Sequence, residues 1–191
     1  MLSVVFQTHA QELNKRVASS YLPSWAIKTN LLYDATTSLN LGTEFRLSRR
    51  HTLDVNINYN PWKFSNNKKF RHVLVQPELR YWLCEPFYGH FLGTHLLYSH
   101  YNIGGVKLPL GFFPALRNRR YQGDLYGVGF SYGYHKILSP HWSLEFSLGV
   151  GYVYTDYRKY DCQNCGLERG REHKHYFTPT KIGVSLVYMI R

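Results

Sequence analysis

The C-terminal stretch, residues 181–191, alternates with a period of two between apolar side chains and side chains that are small or polar. Successive side chains of a β-strand point to opposite faces, so the two sets would lie on opposite faces of one strand. The apolar face carries Ile182, Val184, Leu186, Tyr188 and Ile190. The other face carries Lys181, Gly183, Ser185, Val187 and Met189. Such a strand is typical of a narrow barrel with lipid outside and a crowded or wet interior.

Similar alternation recurs between residues 25 and 155, and turn-forming residues separate the alternating segments. The first segment predicts a strand with an apolar face made of Trp25, Ile27, Leu31 and Tyr33. The most regular segments are Tyr126–His135 and Trp142–Thr155, where glycine and serine alternate with aromatic and aliphatic residues. Together with the C-terminal stretch, they predict an all-β fold, namely an eight-stranded antiparallel up-and-down transmembrane β-barrel over residues 25–191.

Two positions depart from the alternation. Pro77 lies inside the fourth segment and predicts a bulge or a local break in strand pairing, because proline has no backbone N–H to donate. Leu97 places an apolar side chain on the polar face of the fifth segment, which is the least regular of the set.

The composition also favours strands over helices for crossing a membrane. The chain has 17 Tyr, 11 Phe and 4 Trp, yet its mean hydropathy is -0.36. No apolar run approaches the roughly 18 residues that a transmembrane helix requires. Aromatic girdles at two interfaces, combined with alternation that dilutes the apolar residues, are typical of a membrane barrel.

The predicted connections differ in length at the two ends of the barrel. Residues 48–51, 84–89 and 139–141 are short and are predicted to be periplasmic turns. Residues 61–70, 102–122 and 156–175 are longer and are predicted to be outer loops, and only the first outer loop, around residues 35–38, is brief. This asymmetry is typical of outer-membrane barrels.

The first residues resemble the tail of an export signal, with a short apolar run followed by Thr8 and Ala10 as small residues before a cleavage point. We interpret residues 1–10 as the remnant of that signal and residues 11–24 as a polar periplasmic lead-in. The basic beginning of an export signal is missing, and a disordered N-terminal tail is the alternative interpretation.

The polar faces of the strands carry charges of both signs, which predicts an interior network of ion pairs and hydrogen bonds in place of an open pore. The predicted members are Lys28, Asp34, Glu44, Arg46, Asp54, Glu78, Arg80 and Glu145. A catalytic role for the carboxylates is the alternative, but paired charges are the ordinary arrangement of polar groups sealed from water. No catalytic residue, cofactor or metal is predicted.

Four residues of the C-terminal strand resemble the signal by which bacterial outer-membrane barrels are recognised for insertion. The pattern is polar, any, glycine, any, any, hydrophobic, any, aromatic, and the matching residues are Lys181, Gly183, Leu186 and Tyr188. The chain continues for three residues after Tyr188, whereas the usual signal ends at or next to the aromatic residue. The resemblance implies the barrel-assembly machinery as a partner.

Cys162 and Cys165 form a CxxC motif in the last predicted outer loop, where an exported protein meets oxidising conditions. A local disulfide is the leading interpretation. A zinc site with His173 and His175 is the alternative, although the spacing of these histidines is shorter than in the usual finger pattern. A thioredoxin-type redox motif lacks its strand-to-helix setting here. Cys84 lies at a strand end near the opposite rim without an obvious partner.

The formal net charge of +11 has its main sources in the predicted outer loops. The basic residues there are Lys63, Lys68, Lys69, Arg71, Arg117, Arg119, Arg120, Arg158, Lys159, Arg169, Arg171 and Lys174. We expect them to contact outer-membrane lipids, in particular lipopolysaccharide phosphates, and solvated loops without a partner are the alternative. Nucleic acid is not predicted, because these charges cap strand ends and do not line a helix or a stacking face.

Five short stretches resemble a family of uncharacterised proteins, domain of unknown function 3575. They are residues 28–35 (KTNLLYDA), 40–44 (NLGTE), 59–62 (YNPW), 76–82 (QPELRYW) and 89–93 (GHFLG). The resemblance runs from about Trp25 to the C-terminus. It implies an outer-membrane barrel of Bacteroidetes-type bacteria, often encoded beside fimbrial or surface-adhesin components, and it brings no catalytic residue.

The leading hypothesis is a small, non-enzymatic outer-membrane barrel with a role in fimbria or adhesin assembly or in outer-membrane integrity, and with lipopolysaccharide or a surface protein as its partner. A barrel enzyme acting on lipids or peptides at the outer surface is the second hypothesis, with candidate groups His95, His100, His173 and Asp156. A soluble ligand-binding barrel is the third, but its aromatic-rich face would be exposed to water.

Overall fold

The computed structural model describes residues 23–61, 63–64, 68–104, 120–160 and 168–190. The elements are β1 (Trp25–Asn30), α1 (Leu31–Ala35), β2 (Leu39–Arg46), β3 (His51–Asn60), β4 (Lys63–Phe64), β5 (Lys68–Trp82), β6 (Gly89–Gly104), β7 (Arg120–Ile137), β8 (Trp142–Tyr160) and β9 (Glu168–Ile190). The expected export-signal remnant and nearly all of the lead-in lie outside the described residues. Among the described residues, no helix is long and apolar enough to cross a membrane.

Eight strands form one closed ring in which every neighbouring pair is antiparallel. The ring closes through β1 and β9, with Trp25 opposite Ile190 and Asn30 opposite Ser185. β3 pairs directly with β5, so the short strand β4 is an appendage of β5 outside the ring. The architecture is the up-and-down β-barrel of eight strands that the alternation predicts.

We call the two ends of the barrel the turn end and the loop end. The turn end carries the connections at residues 47–50, 83–88 and 138–141, and the loop end carries the others. Because neighbouring strands are staggered, a path along paired residues that leaves β7 at Ile137 returns to β7 at Gly127. Rows of paired residues therefore climb towards the loop end from β7 through β8 to β9, as in any tilted-strand barrel.

The alternation separates a buried interior from an exposed outward face. On β6, residues 91, 93, 95, 97 and 99 are buried, whereas residues 92, 94, 96 and 98 are exposed. Leu97, which breaks the polar pattern of its face, points inward and is 7% exposed. It contacts the Cα side of Gly127, where a Cβ atom would lie only 3.0 Å from Leu97 Cδ2. The space left by a glycine thus accommodates the apolar side chain.

Two expectations about element boundaries are wrong. Leu31 and Tyr33 belong to α1 and not to the first strand, because the Asn30 side chain accepts a hydrogen bond from the Leu32 N–H and caps a helical turn. In addition, residues 156–175, expected to be a loop, are largely strand, since β8 continues to Tyr160 and β9 begins at Glu168. The hydrophobic period disappears there although the backbone ladder continues.

Two prolines lie within the barrel wall with different effects. At Pro77 the pairing of β5 with β6 is interrupted between Val75–Tyr98 and Glu78–His95 without a change of register, which is the expected local break. Near Pro179 the register of β9 on β8 shifts between Gly149 and Val150. This bulge leaves Thr180 without a ladder partner on β8 and lets it contact the interior.

Aromatic side chains close the interior at the turn end. The ring centroid of Trp82 lies 4.9 Å from that of Phe91 and 6.0 Å from that of Phe87. Phe87 belongs to the connection 83–88, adopts a φ of 63° and is only 1% exposed, so this connection turns back to place a phenyl ring in the barrel. Phe87 packs in one cluster with Ala26, Val187 and Met189.

Candidate functional site: the charged interior and the loop-end rim

Charged side chains from most strands converge in the middle of the barrel. Arg80, on β5, is the hub, because its guanidinium forms ion pairs with four carboxylates at 2.7 to 2.8 Å. These carboxylates belong to Glu44, Asp54, Glu78 and Glu145. All five side chains are at most 1% exposed. A group of charges sealed this completely requires mutual pairing, which the fan of guanidinium donors supplies.

Two lysines complete the charged cluster. Lys28 Nζ lies 3.1 Å from both Asp54 Oδ1 and Glu145 Oε2 and also contacts Glu44. Lys181 Nζ lies 2.7 Å from Glu78 Oε2 and 3.3 Å from Asp54 Oδ2. The cluster therefore holds the side chains of Lys28, Glu44, Asp54, Glu78, Arg80, Glu145 and Lys181.

The structure brings together six of the eight residues predicted for this network and leaves two outside it. Asp34 is exposed on α1, where its carboxylate accepts hydrogen bonds from Thr29 Oγ1 at 2.8 Å and from Asn40 Nδ2 at 2.7 Å. Arg46 is half-buried at the end of β2 and makes no ion pair with the described cluster. The prediction of these two as network members is wrong, because α1 redirects Asp34 and β2 ends at Arg46.

Two buried histidines extend the cluster towards both ends of the barrel. His95 Nε2 lies 2.8 Å from Thr180 Oγ1, and its Nδ1 lies 3.8 Å from Glu78 Oε2. His135 Nε2 lies 2.6 Å from Ser143 Oγ, and its Nδ1 lies 3.6 Å from Glu145 Oε2. Neither histidine was predicted to be a partner of the carboxylates. Their place on the polar faces of β6 and β7 was the available signal.

The order hydroxyl, imidazole, carboxylate is also the order of a nucleophilic relay. Here, however, His95 is 1% and His135 is 0% exposed, and Ser143 is likewise 0% exposed. The Ser143 hydroxyl is sealed inside the barrel wall, whereas the Thr180 side chain is half-buried. The two arrays satisfy buried polar groups and link the charged cluster to the wall.

The residues of the predicted assembly signal occupy both faces of β9. Lys181 belongs to the charged cluster, and Gly183 is buried beneath the Ser147 hydroxyl, 2.6 Å from where a Cβ atom would lie. Leu186 is half-buried on the outward face. Tyr188 is 40% exposed and packs edge-on against Trp142 at 5.0 Å. Recognition of these residues by an assembly machinery stays a prediction.

At the loop end, a row of four paired residues crosses the outward faces of β6 to β9. His100 pairs with Asp124, Asp124 with Asp156, and Asp156 with His173. His100 Nδ1 lies 2.8 Å from Asp124 Oδ1, and His173 Nδ1 lies 3.4 Å from Asp156 Oδ1. Arg171 donates to both oxygens of Asp156, and these hydrogen bonds lower the pKa of the Asp156 carboxyl and raise the pKa of Arg171.

This row contains three of the residues considered for catalysis, His100, His173 and Asp156, whereas His95 lies in the interior. The Tyr154 hydroxyl lies 2.8 Å from His173 Nδ1, which is the same nitrogen that faces Asp156. A nucleophile and an orienting carboxylate must contact different nitrogens of the imidazole. Tyr154, His173 and Asp156 therefore do not form a relay.

Of the remaining predicted site residues, the structure describes Cys84, His173 and His175. Cys162 and Cys165 lie outside the described residues, so the disulfide and the zinc alternative stay predictions. His173 and His175 hydrogen-bond to Tyr154 and Tyr152 at 2.8 Å. Cys84 is an exposed free thiol. Within the described ranges, no group of three or more His, Cys, Asp or Glu residues could hold a metal ion.

The fold and the interior define a small, closed, antiparallel β-barrel filled by a charged cluster. The family described as "Protein of unknown function (DUF3575)" has a model that matches residues 2–190, so the chain belongs to this family. The match confirms the resemblance carried by the five short stretches and extends upstream of Trp25. No curated protein and no solved structure matches the chain.

Proposed function

We propose that this protein is a non-enzymatic integral barrel of a bacterial outer membrane, with the turn end in the periplasm and the loop end outside the cell. The observation that carries the proposal is the inverted distribution of side chains. The interior buries Arg80, Glu44 and Asp54 with no exposure, whereas Phe130 on the outward face is 70% exposed. A continuous apolar surface of this kind is not left open to water in a soluble monomer.

The outward face carries most of its aromatic residues in two belts, and the band between them is mainly aliphatic apart from Phe130. Near the turn end, exposed rings belong to Phe45, Tyr81, Tyr132, Tyr134, Trp142 and Tyr188. Near the loop end, they belong to Tyr59, Tyr98, Tyr126, Tyr152 and Phe177. Several tyrosine hydroxyls meet polar partners at the edges of the band, as Tyr132 does with His90 at 2.6 Å. Tyrosine suits such an interface because its ring is apolar and its hydroxyl needs a partner.

The distance between the belts fits a bilayer. On β7, eight residue steps separate Tyr126 from Tyr134, which corresponds to about 27 Å along the strand and about 20 Å along the axis of a barrel with strands tilted by about 40°. The apolar band of outer-membrane barrels is about 25 Å tall. Closed barrels also meet the requirement that backbone groups in lipid be paired within the protein.

The filled interior favours a role at the barrel surface over transport through it. Lys181 on β9 pairs with Glu78 on the opposite strand β5, and Arg80 on β5 reaches across the interior to Glu145 on β8. The aromatic floor of Trp82, Phe87 and Phe91 lies below these ion pairs. We therefore expect the groups that contact a partner to lie at the loop end. Support for lipopolysaccharide as a partner comes from Arg71, Arg158, Arg171 and Lys174, whose side chains are exposed there. A role in fimbria or adhesin assembly rests on the family resemblance.

The test is fractionation of native cells, followed by electrophoresis of detergent-solubilised protein with and without boiling. We expect the protein in the outer-membrane fraction and faster migration of the unboiled sample, because a closed barrel resists the detergent. Recovery from the soluble periplasm without a heat-dependent shift would overturn the proposal.

A further inference from the structure

The charged cluster in the barrel interior is not electrically neutral. It holds three cationic side chains, those of Lys28, Arg80 and Lys181, and four carboxylates, those of Glu44, Asp54, Glu78 and Glu145. With neutral histidines, the cluster therefore carries one uncompensated negative charge. A charge sealed from water is costly unless an opposite charge pairs with it. The count calls for one further positive charge inside the barrel.

The other charged side chains that the structure describes do not supply this charge. Arg46 is half-buried where β2 ends at the turn end, and it forms no ion pair with the carboxylates of the described cluster. Near the rim, Glu172 and Lys174 of β9 carry opposite charges and leave the count unchanged. The remaining groups are His95 and His135, whose Nδ1 atoms lie 3.8 Å and 3.6 Å from carboxylate oxygens. A proton on one of these histidines is the competing source of the charge.

A small cavity adjoins the cluster on its loop-end side. It leaves about 20 Å³ for the centre of a water-sized molecule, which is room for one such molecule. Its lining includes Glu145 and Lys181 from the cluster, and Asn30 and Tyr33 beside the helical turn α1. The cavity thus lies between the uncompensated charge and the loop end of the barrel.

Three polar side chains border this cavity without a partner. They are the amide of Asn58 and the hydroxyls of Ser147 and Ser185, which are 3%, 8% and 5% exposed. Within the part of the chain that the structure describes, none of the three forms a side-chain hydrogen bond. Buried polar groups are normally hydrogen-bonded, so the cavity calls for an occupant that pairs with these groups.

The chemistry of the lining selects a cation over a neutral occupant. Glu145 Oε1 accepts one hydrogen bond, from Arg80 Nη2 at 2.9 Å, and an ionised carboxylate oxygen can accept more than one. Hydroxyl and amide oxygens supply the neutral ligands. A monovalent cation can be held largely by neutral oxygens, so a site of this kind does not need three carboxylate or imidazole groups.

Lys181 also borders the cavity, but its ammonium is engaged elsewhere. Lys181 Nζ lies 2.7 Å from Glu78 Oε2 and 3.3 Å from Asp54 Oδ2. A water molecule in the cavity would satisfy the hydroxyls and leave the net charge of the cluster unchanged. A cation satisfies the same oxygens and also neutralises the cluster.

We infer that this cavity binds one monovalent cation of the size of Na⁺ or K⁺, with oxygen ligands from Asn58, Glu145, Ser147 and Ser185. The cation supplies the positive charge that the cluster lacks and links β3 to β8 and β9. The inference goes beyond the proposed function and does not depend on the membrane in which the barrel resides.

The experiment measures the stability of the full chain in a non-ionic detergent as a function of Na⁺. Urea unfolding is followed by tryptophan fluorescence at pH 8, where an ordinary histidine is neutral. NaCl replaces choline chloride at constant ionic strength, so that screening does not change. We expect the urea midpoint to rise with Na⁺ and then to saturate, because a ligand that binds only the folded protein stabilises it by mass action.

Two serine variants test whether the effect arises at this cavity. Ser147→Ala removes one ligand and should weaken the apparent affinity for Na⁺ by about 5-fold or more. Ser131→Ala is the matched control, because Ser131 is likewise buried, at 5% exposure, and its hydroxyl has no partner among the described residues, but it does not border the cavity. We expect Ser131→Ala to keep the Na⁺ dependence of the parent chain.

A second measurement needs no variant. Crystals of the full chain soaked in a thallium(I) salt should show anomalous density between Glu145, Ser147 and Ser185. Thallium elsewhere only, or no bound thallium, would overturn the inference.

Equal urea midpoints in NaCl and choline chloride would also overturn it, as would equal effects of the two serine variants. Stabilisation by a fall in pH from 8 to 6, without an effect of Na⁺, would show that the missing charge is a proton on His95 or His135. The heat-dependent gel shift and the membrane location are independent of these outcomes, so failure here would leave the proposed function unchanged.

Discussion

The guanidinium of Arg80 lies over the ring of Phe91, with Cζ 4.3 Å from the ring centroid. The N–H groups at its edge point to carboxylates, while the aromatic ring covers a face that has no hydrogen to donate. Phe91 in turn packs on Trp82 with 4.9 Å between ring centroids. This pair of residues is therefore the boundary between the charged cluster and the aromatic floor of the barrel.

Replacing Arg80 should destabilise the barrel more than replacing any other single charge. In Arg80→Met, four buried carboxylates keep only Lys28 and Lys181 as counterions, and uncompensated buried charge costs about 3–5 kcal/mol. Urea unfolding in detergent, followed by the gel shift, measures the loss. Arg46→Met is the matched control, because Arg46 lies outside the cluster, and a change within about 0.5 kcal/mol is expected. Similar losses for the two variants would contradict the role assigned to Arg80.

Two phenylalanines of nearly equal exposure test the membrane assignment. Phe130 is 70% and Phe177 is 72% exposed, but Phe130 lies mid-band on β7 whereas Phe177 lies in the loop-end belt. Phe130→Arg should cost about 2–4 kcal/mol in lipid vesicles and Phe177→Arg about 0–1 kcal/mol, because the penalty for a charge depends on depth. Folding titrations in vesicles measure both. If neither variant is affected, the outward face does not contact lipid.

Glycines where β7 and β8 approach each other should differ in their tolerance of a methyl group. A Cβ atom at Gly151 would lie 2.3 Å from the backbone oxygen of Val128, whereas one at Gly127 would lie 3.0 Å from Leu97 Cδ2 and 3.1 Å from the backbone oxygen of Tyr152. Gly151→Ala must displace backbone, so we expect loss of the closed, heat-shifted form. In Gly127→Ala the Leu97 side chain and the Tyr152 carbonyl need to move by only a few tenths of an ångström, so the heat-dependent shift should be retained. The reverse order would show that the wall is looser than described.

The thiol of Cys84 reports the orientation of the barrel. Cys84 is free and exposed in the turn-end connection. In a variant with Cys162 and Cys165 replaced by serine, a bulky maleimide polymer should label Cys84 only after the outer membrane is permeabilised. A second variant carries Lys174→Cys, with Cys84, Cys162 and Cys165 all replaced by serine. The same polymer should label this variant on intact cells. Labelling of Cys84 on intact cells would invert the proposed orientation.

The ion pair between Asp156 and Arg171 should respond to acid. Hydrogen bonds from Arg171 lower the pKa of Asp156 in the folded protein. A group with a lowered folded pKa contributes stability that is complete above its ordinary pKa and is lost as the pH falls through the folded value. We therefore expect NMR titration of the Asp156 carboxyl below the ordinary range, and loss of the Arg171 Nε contact over that same range. Titration at or above the ordinary pKa would contradict the pairing.

The sequence predicted the barrel well wherever one face meets an apolar environment. From Tyr126 to Tyr134, and from Trp142 to Tyr152, alternate burial forces alternate chemistry, so strands and faces could be assigned by inspection. Where the strands project at the loop end, both faces are polar, and the extension of β9 to Glu168 left no hydrophobic period to find. The helical turn at Leu31 depended on a cap by Asn30 that alternation cannot report.

For the interior, the polar faces identified which side chains point inward but not which ones meet. Lys181 entered the charged cluster because a bulge at Pro179 and the closure of β9 on β1 placed it beside Glu78, from distant parts of the chain. His95 and His135 became partners of carboxylates because the register of neighbouring strands places them opposite Glu78 and Glu145, and alternation assigns faces but not register.

The sequence by itself thus determined the number of strands, their faces and the polar character of the interior, because these follow from a period of two within each segment. The tertiary structure decided the stagger of the ring, the membership of the charged cluster and the length to which each strand extends. Those features depend on which strands become neighbours and on where each neighbour ends, and both are set by closure of the whole barrel.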